Sequence, residues 1–364
     1  MNNFSFENLC ISGLATAVPN DVDTIMDHAQ YYSEGELEKF CEATGIRQRY
    51  VGYRKKIIAS DLCVTAANKL FEKLKFDKDQ IDGLVYMSQT FDYEAPATAN
   101  VIQMRLGLSN CGAVYDVTYG CAAFPFGLQI AGSFINGGCR NVLVLIGDSV
   151  TSADISDKDN FLFGDAGAAI IISKSETKTH LINIRVETLG SKFKALMCPF
   201  GKNRHKIQDM IKNVGYENTN KLLRRYMSGT DVFTFSLIDA TKATKKFYND
   251  FMCTADDFDF LAIHQANKMI VENVTKKIKF PKEKVCVTLD RYANTNGVSI
   301  PLSICDYFEH HPECGEKNIL TLGFGVGLSI GVASLVINSC CVLPIIKSDE
   351  VYDDGIYYKD YLNY

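Results

Sequence analysis

Asp116-Val-Thr-Tyr-Gly-Cys-Ala-Ala-Phe-Pro-Phe-Gly127 links two apolar runs of different character. The run over 113–117 has the length of a short buried strand. The run over 122–135 carries its apolar residues at helical spacing. Cys121 falls at the junction. The first amides of a helix lack main-chain acceptors and carry partial positive charge, so a thiol set against them is pushed toward thiolate. A strand that hands a thiol directly to a helix belongs to an α/β architecture. The rest of the chain is read for the same alternation.

Outward from this stretch the alternation continues on both sides. Toward the N-terminus, 9–18 reads as a strand, 58–74 as an amphipathic helix, 81–87 as a strand and 97–106 as a helix stopped by Gly107. After the cysteine helix come the turn Asn136-Gly-Gly138, a strand over 141–146, and Gly164-Asp-Ala-Gly leading into an apolar strand that ends at Ile172. The second half repeats the order. Strands are expected over 181–188, 258–263, 285–288, 319–322 and 328–337, with helices over 237–247, 265–278 and 299–308. Two similar α/β halves follow, 1–174 and 175–338, each closed by a glycine turn that feeds an apolar strand. Residues 191–231 are polar and irregular, long enough to read as a functional insertion. Residues 339–364 form an acidic, tyrosine-rich tail, read either as docked on the body or as disordered.

Composition narrows the classes. The chain has 364 residues, 47% of them hydrophobic, which supplies ample core material. Its net charge of −5 and the lack of a basic run argue against a nucleic-acid groove. No apolar run approaches the roughly eighteen residues of a membrane span. The thirteen cysteines are scattered and several lie in apolar stretches, so they read as reduced core thiols of a cytoplasmic protein. None has CxxC spacing, and no metal site is expected.

Two further motifs carry chemistry. His264-Gln-Ala-Asn267 follows the apolar stretch 258–263, so His264 stands at the carboxyl end of a strand, where α/β sheets place their ligands. Tyr292-Ala-Asn-Thr-Asn-Gly297 reads as a tight loop. An amide there stays neutral and donates a hydrogen bond to an oxyanion without protonating it. Asn294, Asn296 and Asn267 all qualify. Gly323-Phe-Gly-Val-Gly-Leu-Ser-Ile-Gly331 lacks the context of a dinucleotide fingerprint. Its glycines are read as letting the backbone approach the site. Cys121 itself has two readings, a small core thiol or a nucleophile suited to thioester exchange.

These motifs, in this order, resemble the ketoacyl synthase III family of the thiolase superfamily across residues 5 to 338. The resemblance rests on Asp116 to Phe124 around the cysteine, His264-Gln-Ala-Asn267, and Ala293-Asn-Thr-Asn-Gly-Val-Ser-Ile-Pro301. It also rests on Phe163-Gly-Asp-Ala-Gly-Ala-Ala169, Thr44-Gly-Ile-Arg47 and the terminal glycine run. It implies a thiolase-like fold, with the two halves forming a five-layer αβαβα core, and a homodimer. It implies that Cys121 is acylated by a primer thioester, with the amides of Cys121 and Val326 as one oxyanion hole. His264 and Asn294 would form the other, holding a malonyl carrier-protein thioester as it loses carbon dioxide. Substrates would be an acyl-CoA or acyl-carrier protein and malonyl-carrier protein, with no tightly bound cofactor. The pantetheine arm would run to the surface near Asn267, and Lys268, with Arg224 and Arg225, would meet an acidic carrier protein.

The chain departs from the family where the primer enters. The Trp and Arg that hold the adenine of coenzyme A in fatty-acid initiators fall at Lys39 and Ala43, and there is no tryptophan. A phenylalanine of the acyl pocket falls at Ala95, and Val326 replaces a glycine. The expectation is a specialised member. The alternatives are acyl transfer to a small acceptor without decarboxylation and, in another class, a non-catalytic partner subunit. A 3-hydroxy-3-methylglutaryl-CoA synthase is disfavoured because its glutamate base falls at Gln89.

Overall fold

The structure is a computed structural model, and it describes residues 2–154, 158–175 and 181–362. Residues 363–364 of the tail lie outside that range. Twelve strands build two six-stranded sheets. In chain order they are β1 (Asn3–Phe6), β2 (Leu9–Pro19), β3 (Gly83–Ser88), β4 (Ala113–Thr118), β5 (Asn141–Asp148), β6 (Ala166–Lys174), β7 (Ile182–Thr188), β8 (Phe260–Ile263), β9 (Val285–Cys286), β10 (Glu316–Gly325), β11 (Ser329–Asn338) and β12 (Ile346–Ser348). The helices that matter are α1 (Glu34–Thr44), α2 (Ala59–Leu74), α3 (Thr98–Leu106), α4 (Ala123–Asn136), α5 (Thr241–Asp250), α6 (Lys268–Lys277) and α7 (Ser299–His310).

The first sheet runs β12-β2-β6-β5-β3-β4 and the second β1-β7-β11-β10-β8-β9. Numbered within its own half, each has the strand order 1-5-4-2-3 plus one extra strand. The directions match too: β3 is parallel to β4 and β5, and β8 is parallel to β9 and β10. In each half the fifth strand is antiparallel to both its neighbours, β6 between β2 and β5, β11 between β7 and β10. The extra strands are exchanged. β1 opens the chain but pairs with β7 in the second sheet, while β12, near the end, pairs with β2 in the first.

The five layers follow from which faces are apolar. α4 is apolar nearly all round, and Phe124, Phe126, Leu128 and Ile135 are buried among side chains from both sheets. Each such side chain contributes roughly 1.5–3 kcal/mol on full burial. α7 shares this central layer through Ile300, Leu302 and Ile304. α2 and α3 cover the outer face of the first sheet, α5 and α6 that of the second. The expected αβαβα core is therefore present.

Some local expectations change. The helix read from Gln265 begins only at Lys268, because Asn267 caps it: its Oδ1 accepts from the Ile270 N–H at 2.8 Å. Gln265 is instead a buried strut, donating to the Ile263 and Cys286 carbonyls and accepting from the Thr288 N–H. The insertion is less irregular than its sequence suggests. It holds helices Ile207–Val214 and Tyr216–Leu222 and a small ladder of Leu196–Met197 with Tyr226–Met227. The tail is docked: beyond β12, Glu350 accepts from Thr65, the Tyr352 N–H donates to Asp61, and Tyr93 donates to Asp354.

Candidate active site

Cys121 lies between β4 and α4, at the carboxyl end of its sheet. Three features fix the loop. Both oxygens of Asp116 accept N–H groups at the start of α3, from Thr98 at 2.7 Å and Ala99 at 2.8 Å, so β4 is tied to its neighbouring helix. Gly120 lets the end of the Gln89 side chain lie against the backbone, and a Cβ there would push that side chain aside. Gly325, at the end of β10, would place a Cβ 2.7 Å from the Cys121 sulfur. The terminal glycine run thus brings the second half's backbone against the thiol.

A cavity joins Cys121 to the polar motifs of the second half. His264, Asn294, Asn296, Asn267, Ala266 and Val326 all line it. Its empty space, open mouth included, is about 690 Å³. His264 leaves β8 with its N–H on the Leu322 carbonyl, and its ring meets Phe324 edge-on. Asn294 is held by main-chain bonds to Leu162 and Gly164, and its Oδ1 accepts the Asn296 N–H at 2.9 Å. That leaves the Asn294 amide N–H groups as donors. Asn296 takes positive φ, 49°, a conformation asparagine tolerates.

Burial dominates the electrostatics. It pushes the Cys121 thiol up to about 11, opposed by Arg225 and reinforced by Asp148; hydrogen bonds from the main-chain N–H groups of Val326 and Cys121 itself favour the thiolate. The lowered thiol pKa expected from the helix terminus is therefore not seen in the resting site. Burial lowers His264 to about 4, against a weak opposing hydrogen bond with the Asn296 main chain. At neutral pH the imidazole is uncharged, and its Nδ1 is buried without a hydrogen-bond partner.

The comparisons with known proteins agree with this geometry. The pattern described as "3-Oxoacyl-[acyl-carrier-protein (ACP)] synthase III" matches residues 115–190, and its C-terminal counterpart matches 251–337. The chain is 32% identical to the beta-ketoacyl-[acyl-carrier-protein] synthase III of Xanthomonas oryzae over 335 residues, 89% of this chain and 97% of that one. It belongs to the 3-oxoacyl-[acyl-carrier-protein] synthase III family. The enzyme of the same name from Clostridium perfringens is 27% identical over 332 residues, 90% of this chain and 98% of that one. A 3-oxoacyl-(acyl-carrier protein) synthase from Burkholderia xenovorans superposes with a TM-score of 0.87 at 26% identity, covering 95% of this chain and 99% of that one. The chain is thus an enzyme of the ketoacyl synthase III type, and its chemistry is a condensation of that type.

Other expected residues fall in varied places within this family's scaffold. Lys268 is exposed at the rim, its Cβ packed against Gly45 at the end of α1, and Asn267 is half-buried beside it. Lys39 and Ala43 are exposed on α1. Ala95 does not line the cavity; it is exposed on the loop after β3, so a single chain gives it no part in an acyl pocket. Arg224 stays on the surface, whereas Arg225 departs from the docking expectation. Arg224 pairs with Asp154 at 2.6 Å, and Arg225 turns inward over the Phe163 ring, lining the cavity near Cys121. Among the described residues no His, Cys, Asp and Glu cluster could hold a metal, and no helix is long and apolar enough to cross a membrane.

The sequence reading missed Asp148. It ends β5, fully buried, and its Oδ1 accepts from the Gln89 N–H at 2.8 Å and from Ser88. Burial raises it to about 7, and bonds from Gln89, Gly297 and Ser88 together with the Arg225 charge pull it back down. It therefore ties β3, the Asn294–Gly297 loop and the cysteine's surroundings together. Its sequence signal was a lone carboxylate closing an otherwise apolar strand.

Proposed function

We propose that this chain condenses a malonyl unit held on an acyl carrier protein with an acyl primer, through a thioester on Cys121, giving a 3-oxoacyl thioester. The observation that supports this most is a single cavity holding one thiol and two buried neutral donors, His264 and Asn294. In the first half-reaction the Cys121 sulfur attacks the primer thioester carbonyl and the primer's own thiolate leaves. The N–H groups of Val326 and Cys121 face the sulfur and are suited to hold the intervening oxyanion.

The second half-reaction uses the opposite wall. The malonyl arm enters past Asn267 and Lys268, with its thioester oxygen toward His264 and Asn294. The bond to the carboxylate breaks, its electron pair passes into the thioester enolate, and carbon dioxide leaves. The enolate carbon then attacks the acyl group on Cys121 and expels the cysteine thiolate. Neutral donors matter here because an imidazolium would protonate the enolate before it attacked.

Intact-mass measurement of acylation tests this reading. Wild type incubated with panels of acyl-CoA and acyl-carrier thioesters gains one acyl mass, and Cys121→Ala gains none. Equal labelling of both proteins would refute the role of Cys121. The panel also reports which carrier delivers the primer; since Lys39 and Ala43 offer no aromatic clamp for adenine, stable loading from acetyl-CoA would contradict a carrier-delivered primer.

We also propose a homodimer joined through β4. This edge strand lacks proline and lysine, exposes Tyr115, and has one unpaired side that a second copy can extend into a continuous sheet. Light scattering is expected to give twice the chain mass, and a monomer at micromolar concentration would refute this.

A further inference from the structure

Asn296 offers a buried donor that the scheme above leaves unused. The residue is 2% exposed and lines the cavity together with Cys121, His264 and Asn294. Its side-chain Nδ2 is buried and has no hydrogen-bond partner among the described residues. Leaving a buried amide N–H unsatisfied is unfavourable, so such a group calls for a ligand atom that completes it. Its main-chain N–H helps to hold the site, donating to Asn294 Oδ1 at 2.9 Å. The next residue, Gly297, bonds to buried Asp148. The backbone of Asn296 therefore anchors Asn294, while its side-chain amide has no partner among the described residues.

We propose that the Asn296 side-chain amide is a third donor to the malonyl thioester, hydrogen-bonding the oxygen on which negative charge collects as carbon dioxide leaves. The inference rests on the condensation reading and deepens it. An amide suits this place because it donates without protonating, as Asn294 does. The developing enolate would then be met by His264, Asn294 and Asn296, and the burial of all three removes water that would compete for it. The Cys121 half-reaction depends on main-chain N–H groups from other segments, so the Asn296 side chain has no part in it.

The test separates side chain from backbone. Asn296→Gly deletes the amide but keeps the positive φ without strain, and so preserves the anchoring of Asn294. Asn296→Asp keeps the shape, removes the donor and places a carboxylate at the site. Carbon dioxide release from malonyl-pantetheine is followed in single turnovers, with Cys121 acylation measured on the same preparations by intact mass. In Asn296→Gly, decarboxylation is expected to fall about 10²-fold, the usual cost of one oxyanion donor, and at least tenfold more than acylation. Asn296→Asp is expected to lose more. A wild type that releases no carbon dioxide overturns the condensation reading and this inference with it. A wild type that does so while Asn296→Gly keeps pace overturns this inference alone, as does an equal fall in both half-reactions.

Discussion

Two loops meet in the cavity, and they are built differently. The loop of Cys121 presents a single side chain, and the groups that steady its sulfur are main-chain amides. The loop from Asn294 to Gly297 does the reverse: main-chain bonds anchor it to Leu162 and Gly164, and its side chains are left as donors. The two come from topologically equivalent places, each ahead of a central helix, α4 in one half and α7 in the other. A repeated fold has thus been given unlike work, nucleophilic on one side and electrostatic on the other. Burial serves both, because it keeps thiol and imidazole uncharged until substrate arrives.

Removing His264 is the strongest way to break that division. His264→Ala is expected to slow carbon dioxide release from malonyl-pantetheine about 10²–10³-fold, while acylation of Cys121 falls far less. Rapid-quench measurement of each half-reaction checks it, and parallel losses would mean that the imidazole serves both loops. The rate is also expected to be flat with respect to His264 from pH 6 to 8, since burial holds its ring at about 4. Only toward that value does charging of the ring abolish the neutral donor.

Much of this arrangement was legible because local chemistry and fold agreed. The strand-to-helix junction at Cys121, the strand end at His264 and the alternation of both halves are short-range patterns, and the structure repeats them within a few residues. What stayed hidden depended on distant partners. The exchange of β1 and β12 between sheets is a pairing across the length of the chain, which no local period records. Asp148 went unread because its partners, Gln89 and Ser88, come from another strand. The helix start at Lys268 moved because Gln265 was needed as a strut between strands. Arg225 read as part of a surface patch, because nothing in a polar insertion says which way one side chain turns.

Arg225 gives the smallest effect and the finest test of the comparison. It reaches the cysteine loop from the insertion that the second half carries, and is the largest influence favouring the Cys121 thiolate against burial. With the thiol at about 11, alkylation by iodoacetamide is expected to rise roughly tenfold per pH unit between pH 7 and 10, following the thiolate fraction. Arg225→Ala removes the favourable charge, raises the thiol further and lowers the thiolate fraction at every pH in that window. The rate at pH 8 should drop about three- to tenfold, the worth of half to one pKa unit, with Arg225→Lys recovering part of it. Peptide mapping isolates Cys121 from the other twelve thiols. Identical profiles in all three proteins would place the sulfur under the control of its own loop alone. A drop confined to Arg225→Ala would show that the insertion tunes the nucleophile that the repeated fold supplies.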